Sequence, residues 1–295
     1  RYAADISFPG QWYMRVVRSD VAHGKITAID TEAARALPGV HAVWTHADVA
    51  DIPHIPFRLT GLKPLEPYQQ PVLAKEVVRY VGEPVATVFA DDPYLAEDAA
   101  DLVALSIEAR PATTSASAPP GQYEQGLTTE PGVIQKSYGD VDAVFRTAPA
   151  IVSLELSIGR HSGVPIETRG AIARYDEARD VLELHGAAKV PHWNRDTIAR
   201  MLKRTPESVQ LYEGHVGGGF GIRGELYPED LLVCSAALKF RRPTKWIEDR
   251  REHLTAANHS RDQSHHIRAA IDAQGRILGI EDEFFHDNGA YMRTH

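Results

Sequence analysis

Residues Gly214 to Asp230 read Gly-His-Val-Gly-Gly-Gly-Phe-Gly-Ile-Arg-Gly-Glu-Leu-Tyr-Pro-Glu-Asp. Five glycines fall within the eight positions Gly214 to Gly221, so the main chain there is almost bare of side chains. Such a loop can turn through positive φ angles and bring a bulky anion against main-chain N–H groups. A helical pattern follows from Pro228 to about Phe240, and its N-terminus aims partial positive charge at the same place. The residues alone describe a cradle for an anion or a cofactor.

The bulk properties narrow the class. The chain has 295 residues, enough for a large core or two domains. Hydrophobic residues make up 43% and charged residues 24%, the balance of a soluble globular protein. No apolar run approaches the ~20 residues that cross a bilayer, so no membrane partner is expected. The net charge of −8 with no basic stripe argues against nucleic acid. The single cysteine, Cys234, excludes an internal disulfide and an iron–sulfur cluster held by this chain alone. A reducing, cytoplasmic setting is the expectation. The chain opens at Arg1-Tyr2 and closes at Arg293-Thr294-His295 without an obvious cap, which suggests a piece of a longer or split polypeptide.

Short strand-like and helix-like runs alternate along the chain. The pattern predicts strands over Trp12–Arg18, Gly24–Asp30 and Val40–Thr45, and two more within Val77–Ala90, split by Gly82-Glu83-Pro84. It predicts a short helix from Thr31 to Leu37, with Thr31 as N-cap, and an amphipathic helix from Asp92 to Leu105 with Leu95, Ala99, Leu102 and Val103 on one face. The Pro-rich stretch from Asp51 to Gln70 reads as an ordered loop. Ala109 to Gly121 has no periodicity and no core-forming residues, so a domain boundary is placed there. Beyond it, strands are expected at Ala150–Ile158, Ala171–Tyr175, Val181–Ala187, Val209–Tyr212 and Thr244–Ile247, with a helix at Asn194–Leu202. Ser264–Ile271 and Ile277–Phe285 read as a hairpin around Asp272-Ala273-Gln274-Gly275.

Three readings of the glycine loop compete. Gly219-Phe220-Gly221-Ile222-Arg223-Gly224 matches G-x-G-x-x-G, between a strand and a helix, with Glu248 ending the next strand. That imitates a dinucleotide fingerprint, but the third glycine should lie in the first turn of the helix, and Gly224 falls before it. The loop could also be a turn with a packing role only. The remaining reading is the cofactor cradle.

The wording of several segments goes further. The loop with Tyr227-Pro228-Glu229 and Arg242-Pro243-Thr244-Lys245-Trp246-Ile247-Glu248-Asp249-Arg250-Arg251-Glu252-His253 resembles the large molybdenum-binding subunit of the xanthine dehydrogenase/aldehyde oxidase family. Tyr80-Val81-Gly82-Glu83-Pro84-Val85-Ala86, with Asp92 to Ala100, resembles that family's hammerhead domain, and Pro165-Ile166-Glu167-Thr168-Arg169-Gly170 resembles a segment opening its cofactor domain. The resemblance implies an α+β fold: an α/β hammerhead domain over residues 1–110, a linker over 111–135, and an incomplete first molybdopterin-binding domain over 136–295. It implies that Gly218, Gly219, Phe220 and Gly221 meet the molybdenum–molybdopterin cofactor, in its plain or cytosine dinucleotide form, and that His161 stands where a side chain bonds an oxygen ligand of the metal. Arg223 and Glu225 are implied near the substrate pocket; for Glu225 the spacing is one residue longer than in the family.

The implied activity is hydroxylation of an electron-poor carbon of an N-heterocycle or aldehyde, with water as oxygen source. The family's glutamate base lies far toward the C-terminus of the full subunit, so no catalytic residue and no metal ligand is assigned here. Iron–sulfur clusters and FAD on partner subunits, and a chain carrying the remaining molybdenum domain, are implied partners, together with a small-molecule substrate. The alternatives are a non-catalytic scaffold of such a complex and a dinucleotide-binding dehydrogenase. His253, His259, His265 and His266 lack zinc spacing and read as surface residues, and Cys234 reads as a buried small side chain.

Overall fold

The computed structural model describes residues 1–58, 61–124, 126–186 and 190–293. The first part carries β1 (Trp12–Arg18), β2 (Gly24–Asp30), α1 (Glu32–Arg35), β3 (Val40–Trp44), β4 (Val77–Val78), β5 (Pro84–Ala90), α2 (Pro93–Asp101) and β6 (Ala104–Ala109). A small hairpin, β7 (Gln122–Glu124) and β8 (Leu127–Thr128), follows, then α3 (Val141–Thr147), β9 (Ala150–Ile158), β10 (Gly170–Asp176) and β11 (Val181–Gly186). The rest is α4 (Pro191–Met201), β12 (Val209–Tyr212), α5 (Pro228–Phe240), β13 (Thr244–Ile247), α6 (Arg250–Ala256), β14 (Asp262–Ile271) and β15 (Ile277–Asp287).

Most predicted elements form where the pattern put them; the helix after Asp92 is shorter. Asp92 caps it, accepting from the amides of Tyr94 and Leu95, but it ends at Asp101 and the chain enters β6 at Ala104. Its buried face is Ala96 and Ala99, and Leu102 is exposed. Val103 is buried after the helix has ended, so the apolar run there marks the turn into β6 rather than another helical turn. Thr31 precedes α1 but makes no side-chain cap; Asp30 accepts from the Glu32 amide instead. The expected strand end at Ala187 lies outside the described residues.

The fold centres on a seven-stranded sheet in the order β12-β11-β10-β13-β1-β5-β3. Its middle joins the two halves of the chain: β1 runs parallel to β13, with Trp12 opposite Thr244 and Tyr13 opposite Lys245. All seven residues of β5 are buried, because α2 covers one face and the main core the other. That core is shared. Met14, Trp44 and Phe89 pack with Leu182, Leu231 and Trp246 among the buried residues, and Phe240 at the end of α5 contacts Trp12, Trp44 and Phe89. Tyr291 and Met292 return to the first half, where the Met292 amide donates to Tyr68 O (2.9 Å) and the Tyr291 hydroxyl donates to buried Glu83. Burial pushes the Glu83 carboxyl up to about 7, against the bonds from Tyr291 and Arg79.

A buried ionic network crosses the same junction. Glu229, in the first turn of α5 and 1% exposed, accepts from Arg18 of β1 at 2.7 Å and from Arg169 at 3.3 Å. Arg169 also donates to Glu248 at 2.6 and 3.0 Å, and its guanidinium carbon lies 3.8 Å from the centre of the Tyr227 ring. Glu248 bonds His253 Nδ1 at 2.8 Å, and Glu252 accepts from Arg18 and Arg15 at 2.9 and 3.1 Å. Burial opposes ionisation of Glu229, but Arg169 and Arg18 outweigh it and hold its carboxyl down to about 2.

Two outcomes follow from this junction. Glu229→Gln leaves two buried guanidinium groups short of a counter-charge and should destabilise the chain by about 3–5 kcal/mol in urea titrations followed by circular dichroism. Because the folded pKa of Glu229 lies below its ordinary 4.5, its contribution is complete above pH 4.5 and is lost as pH falls toward 2; the variant should lose that part of the acid limb. Separately, we propose that a domain boundary lies within Ala109 to Gly121, and limited proteolysis there should give two fragments that still co-elute on gel filtration. Separation of the fragments without denaturant would show that the shared sheet does not hold them.

Candidate functional site

The glycine loop leaves the C-terminal end of β12 and passes through a tight turn at Ile222–Gly224 before α5 begins at Pro228. The glycines serve different ends. A Cβ on Gly214 would lie 2.1 Å from Arg1 O, and one on Gly217 would lie 2.4 Å from the Glu167 Cβ. Those two are glycine because the chain's own neighbours leave no room. Gly218 and Gly221 hold φ of 104° and 89°, which disfavour any side chain. Gly219 meets neither constraint: its φ lies outside the left-handed range, and nothing lies within 4 Å of an added Cβ.

The loop is gripped from below by Glu167 and Arg223. Glu167 pairs with Gly217 in both directions, its amide donating to Gly217 O (3.1 Å) and its carboxylate accepting from the Gly217 amide (2.6 Å). Arg223, buried, donates to the carbonyls of Gly218 (2.8 Å), Glu167 (2.8 Å) and Thr168 (3.0 Å), and lies 3.1 Å from the Glu167 carboxylate. Burial lowers the Arg223 pKa, against the charge of Glu167. Its planar fork of donors suits three carbonyls held at fixed positions. The resemblance placed Arg223 at a substrate mouth; in the structure it points under the loop, and its donors face backbone carbonyls rather than the outside.

On the outer side the loop is open. Among the described residues, no acceptor bonds the amides of Gly218, Gly219, Phe220 or Gly221. Phe220 adopts φ 48°, an uncommon conformation for a bulky residue, and its side chain is 76% exposed. Ile166, on the segment that carries Glu167, is 94% exposed. The segment after β9 comes alongside: the position of a Cβ on Gly163 lies 3.1 Å from the Phe220 Cβ. His161, two residues earlier, is exposed and anchored by its backbone, which exchanges bonds with Ser260 at 2.7 and 2.8 Å. Glu225 is half-buried and lines, with Arg169, Asn194, Arg223 and Trp246, a small pocket of about 40 Å³.

The dinucleotide reading fails on topology. After α5 the chain enters β13, which pairs with β10 and β1; β11 and β10 lie between it and β12, so the loop is not framed by the adjacent parallel strands of a dinucleotide-binding β-α-β unit. Glu248, the acid that completed the imitation, is buried against Arg169 and His253. His265 and His266 alternate across β14 and pair with Asp282 and Glu155, and no metal-binding cluster of His, Cys, Asp or Glu occurs among the described residues. Cys234 is fully buried in α5, and burial raises its thiol pKa. Sequence reasoning assigned no role to Glu167 or Arg169. The available signal was charge inside otherwise apolar or constrained segments; Arg18 lies in a strand with Met14, Val16 and Val17, and Arg169 precedes one with Ala171 and Ile172.

Residues 126–295 match the molybdopterin cofactor-binding domain, and residues 1–111 match the hammerhead domain of aldehyde oxidase and xanthine dehydrogenase. The gamma subunit of the 6-hydroxypseudooxynicotine dehydrogenase complex of Paenarthrobacter nicotinovorans is 40% identical over 99% of this chain and 38% of its own length. The nicotine 6-hydroxylase large subunit of the same organism is 38% identical over 99% of this chain and 36% of its own length. Quinoline 2-oxidoreductase from Pseudomonas putida 86 superposes with a TM-score of 0.85 at 34% identity, covering 96% of this chain and 37% of that one. The chain thus spans about two fifths of the length of these relatives. With one sheet and one core carrying both matched regions, and the open glycine loop at the edge of the second, the chain belongs to the xanthine dehydrogenase/aldehyde oxidase family, as an N-terminal region of its large molybdenum-binding subunit.

Proposed function

We propose that the chain supplies one wall of the cofactor pocket of a molybdenum hydroxylase. The observation that carries this reading is Gly219, whose lack of a side chain is required by nothing within the chain. The bare backbone there lets a group from outside approach closely, and the amides of Gly218 to Gly221, which bond no acceptor among the described residues, favour an anionic one. A molybdenum–pterin cofactor, plain or as the cytosine dinucleotide, fits that donor set and would supply oxidation of an electron-poor carbon with water as oxygen source. This chain's residues hold and shape. The loop amides donate to anionic ligand atoms, Phe220 walls the pocket, and His161 offers an imidazole donor beside it. Arg223 and Glu167 act beneath, as positioning residues that hold the loop in a shape it could not keep unsupported.

The substrate class we favour is the N-heterocycles, since nicotine and quinoline are the substrates named for two of the relatives, with aldehydes as the broader family alternative. Electrons would leave through iron–sulfur and flavin groups on partner subunits. We place the complex in the cytoplasm; among the described residues no helix is long and apolar enough to cross a membrane.

Gly219→Val should leave the isolated chain's circular dichroism and thermal midpoint unchanged, because the added atoms meet open space. In the complex assembled with its partner chains, the same variant should lower molybdenum and pterin content at least tenfold. Full cofactor loading with normal turnover would refute the cradle; a lowered midpoint in the isolated chain would return the glycine to a packing role.

Arg223→Lys keeps the charge but loses the three-carbonyl fork. It should speed deuterium exchange of the amides from Gly217 to Gly221 in the isolated chain, while exchange in α5 stays slow. Purified alone, the wild-type chain should hold far less than one molybdenum per chain by elemental analysis, since the loop is a single wall.

A further inference from the structure

The small pocket behind the turn that joins the glycine loop to α5 is lined by two residues with polar atoms left without partners. Its walls come from β10, β13, α4 and that turn. Trp246 of β13 is 1% exposed and Asn194 of α4 is 3% exposed, and both line the pocket. Among the described residues, neither Trp246 Nε1 nor Asn194 Oδ1 has a hydrogen-bond partner. Orphans of this kind are rare in folded proteins and costly, because each has given up water without a replacement. The charged groups around them are engaged elsewhere. Arg169 donates to Glu229 and Glu248, and Arg223 donates to the carbonyls of Gly218, Glu167 and Thr168. Asp230 accepts from the Tyr227 amide at 3.0 Å.

We propose that this pocket is a hydration site, in which ordered water accepts from Trp246 Nε1, donates to Asn194 Oδ1 and so ties α4 to β13. The two atoms select the ligand. An indole N–H can only donate and an amide oxygen can only accept. A bare anion cannot donate to the oxygen, and a cation cannot accept from the indole; water does both. The pocket, about 40 Å³, has room for it. Arg223 and Glu225 of the turn line the same pocket. Asn194 is thereby a positioning residue: through water it braces the turn whose arginine holds the glycine loop. The inference is independent of the cofactor reading, because it is read from water, stability and amide exchange and not from molybdenum or turnover.

The test is a high-resolution crystal structure of the chain assembled with its partner chains, together with variants of the chain. Water should refine within hydrogen-bond distance of Trp246 Nε1 and Asn194 Oδ1. It should be gone from Asn194→Leu, which removes the acceptor and puts apolar atoms in its place. In urea titrations, Asn194→Leu and Trp246→Phe should each lower the folding equilibrium constant about tenfold. The double variant should lose less than the product of the two, since removing both partners leaves no orphan. Deuterium exchange of the amides from Gly217 to Gly221 should be faster in Asn194→Leu. A pocket without water density would overturn the proposal, as would a protein acceptor on Trp246 Nε1 or an anion in place of the water. Strictly multiplicative losses in the double variant would also overturn it, and so would loop exchange in Asn194→Leu equal to that of the unaltered chain. Should a variant fail to fold, the density in the unaltered complex decides alone.

Discussion

The Glu229 carboxylate, buried between Arg18 and Arg169, is the contact on which the arrangement of this chain depends. Arg18 comes from β1 and Arg169 from the turn into β10, so one acid at the start of α5 ties together segments about 150 residues apart. A charge taken out of water is tolerated only where its partners are placed with good geometry. That requirement fixes where α5 enters the sheet. It also fixes the turn before α5, because the Tyr227 ring stacks on Arg169 while its hydroxyl donates to Ile222 O at 2.8 Å. The glycine loop therefore hangs from a frame set by ion pairs rather than by its own hydrogen bonds.

The frame explains how a glycine-rich segment can hold one shape. Glycine loses much entropy on ordering, so the loop needs contacts that outweigh that cost. Glu167 and Arg223 provide them on the inner side, both reaching carbonyls or amides of the loop. On the outer side the amides remain open, and Phe220 stands out into solvent. Rigidity below and accessibility above are what a binding surface requires when its donors must be in place before the ligand arrives.

The two family regions meet in one sheet and one core. Two regions that match separate domains share the β1–β13 pairing, the core around Trp246 and Phe89, and the ionic network. The return of Tyr291 and Met292 to Glu83 and Tyr68 closes the same seam. In contrast, the sheet of β9, β14 and β15 keeps a bare apolar face.

Much of the local structure was legible in the residues. The strands at Trp12–Arg18, Ala150–Ile158 and Thr244–Ile247 and the helix Pro228–Phe240 follow from alternation, a proline in the first turn and a glycine or proline stop, all of which act over a few residues. The wording of the glycine loop and of Pro165–Gly170 pointed to the family, and the loop's openness suited the chemistry implied. The helix after Asp92 was overextended because Leu102 and Val103 continue a helical period while tertiary pairing with β2 draws the chain into β6. Roles for Glu167, Arg169, Arg223 and Glu248 were beyond the sequence, since each depends on a partner 50 or more residues away. Periodicity and turn chemistry are local and are written in the order of residues. Which charge meets which, and whether Arg223 faces outward or inward, is decided only when distant segments pack and the cost of burying each ion selects its partner.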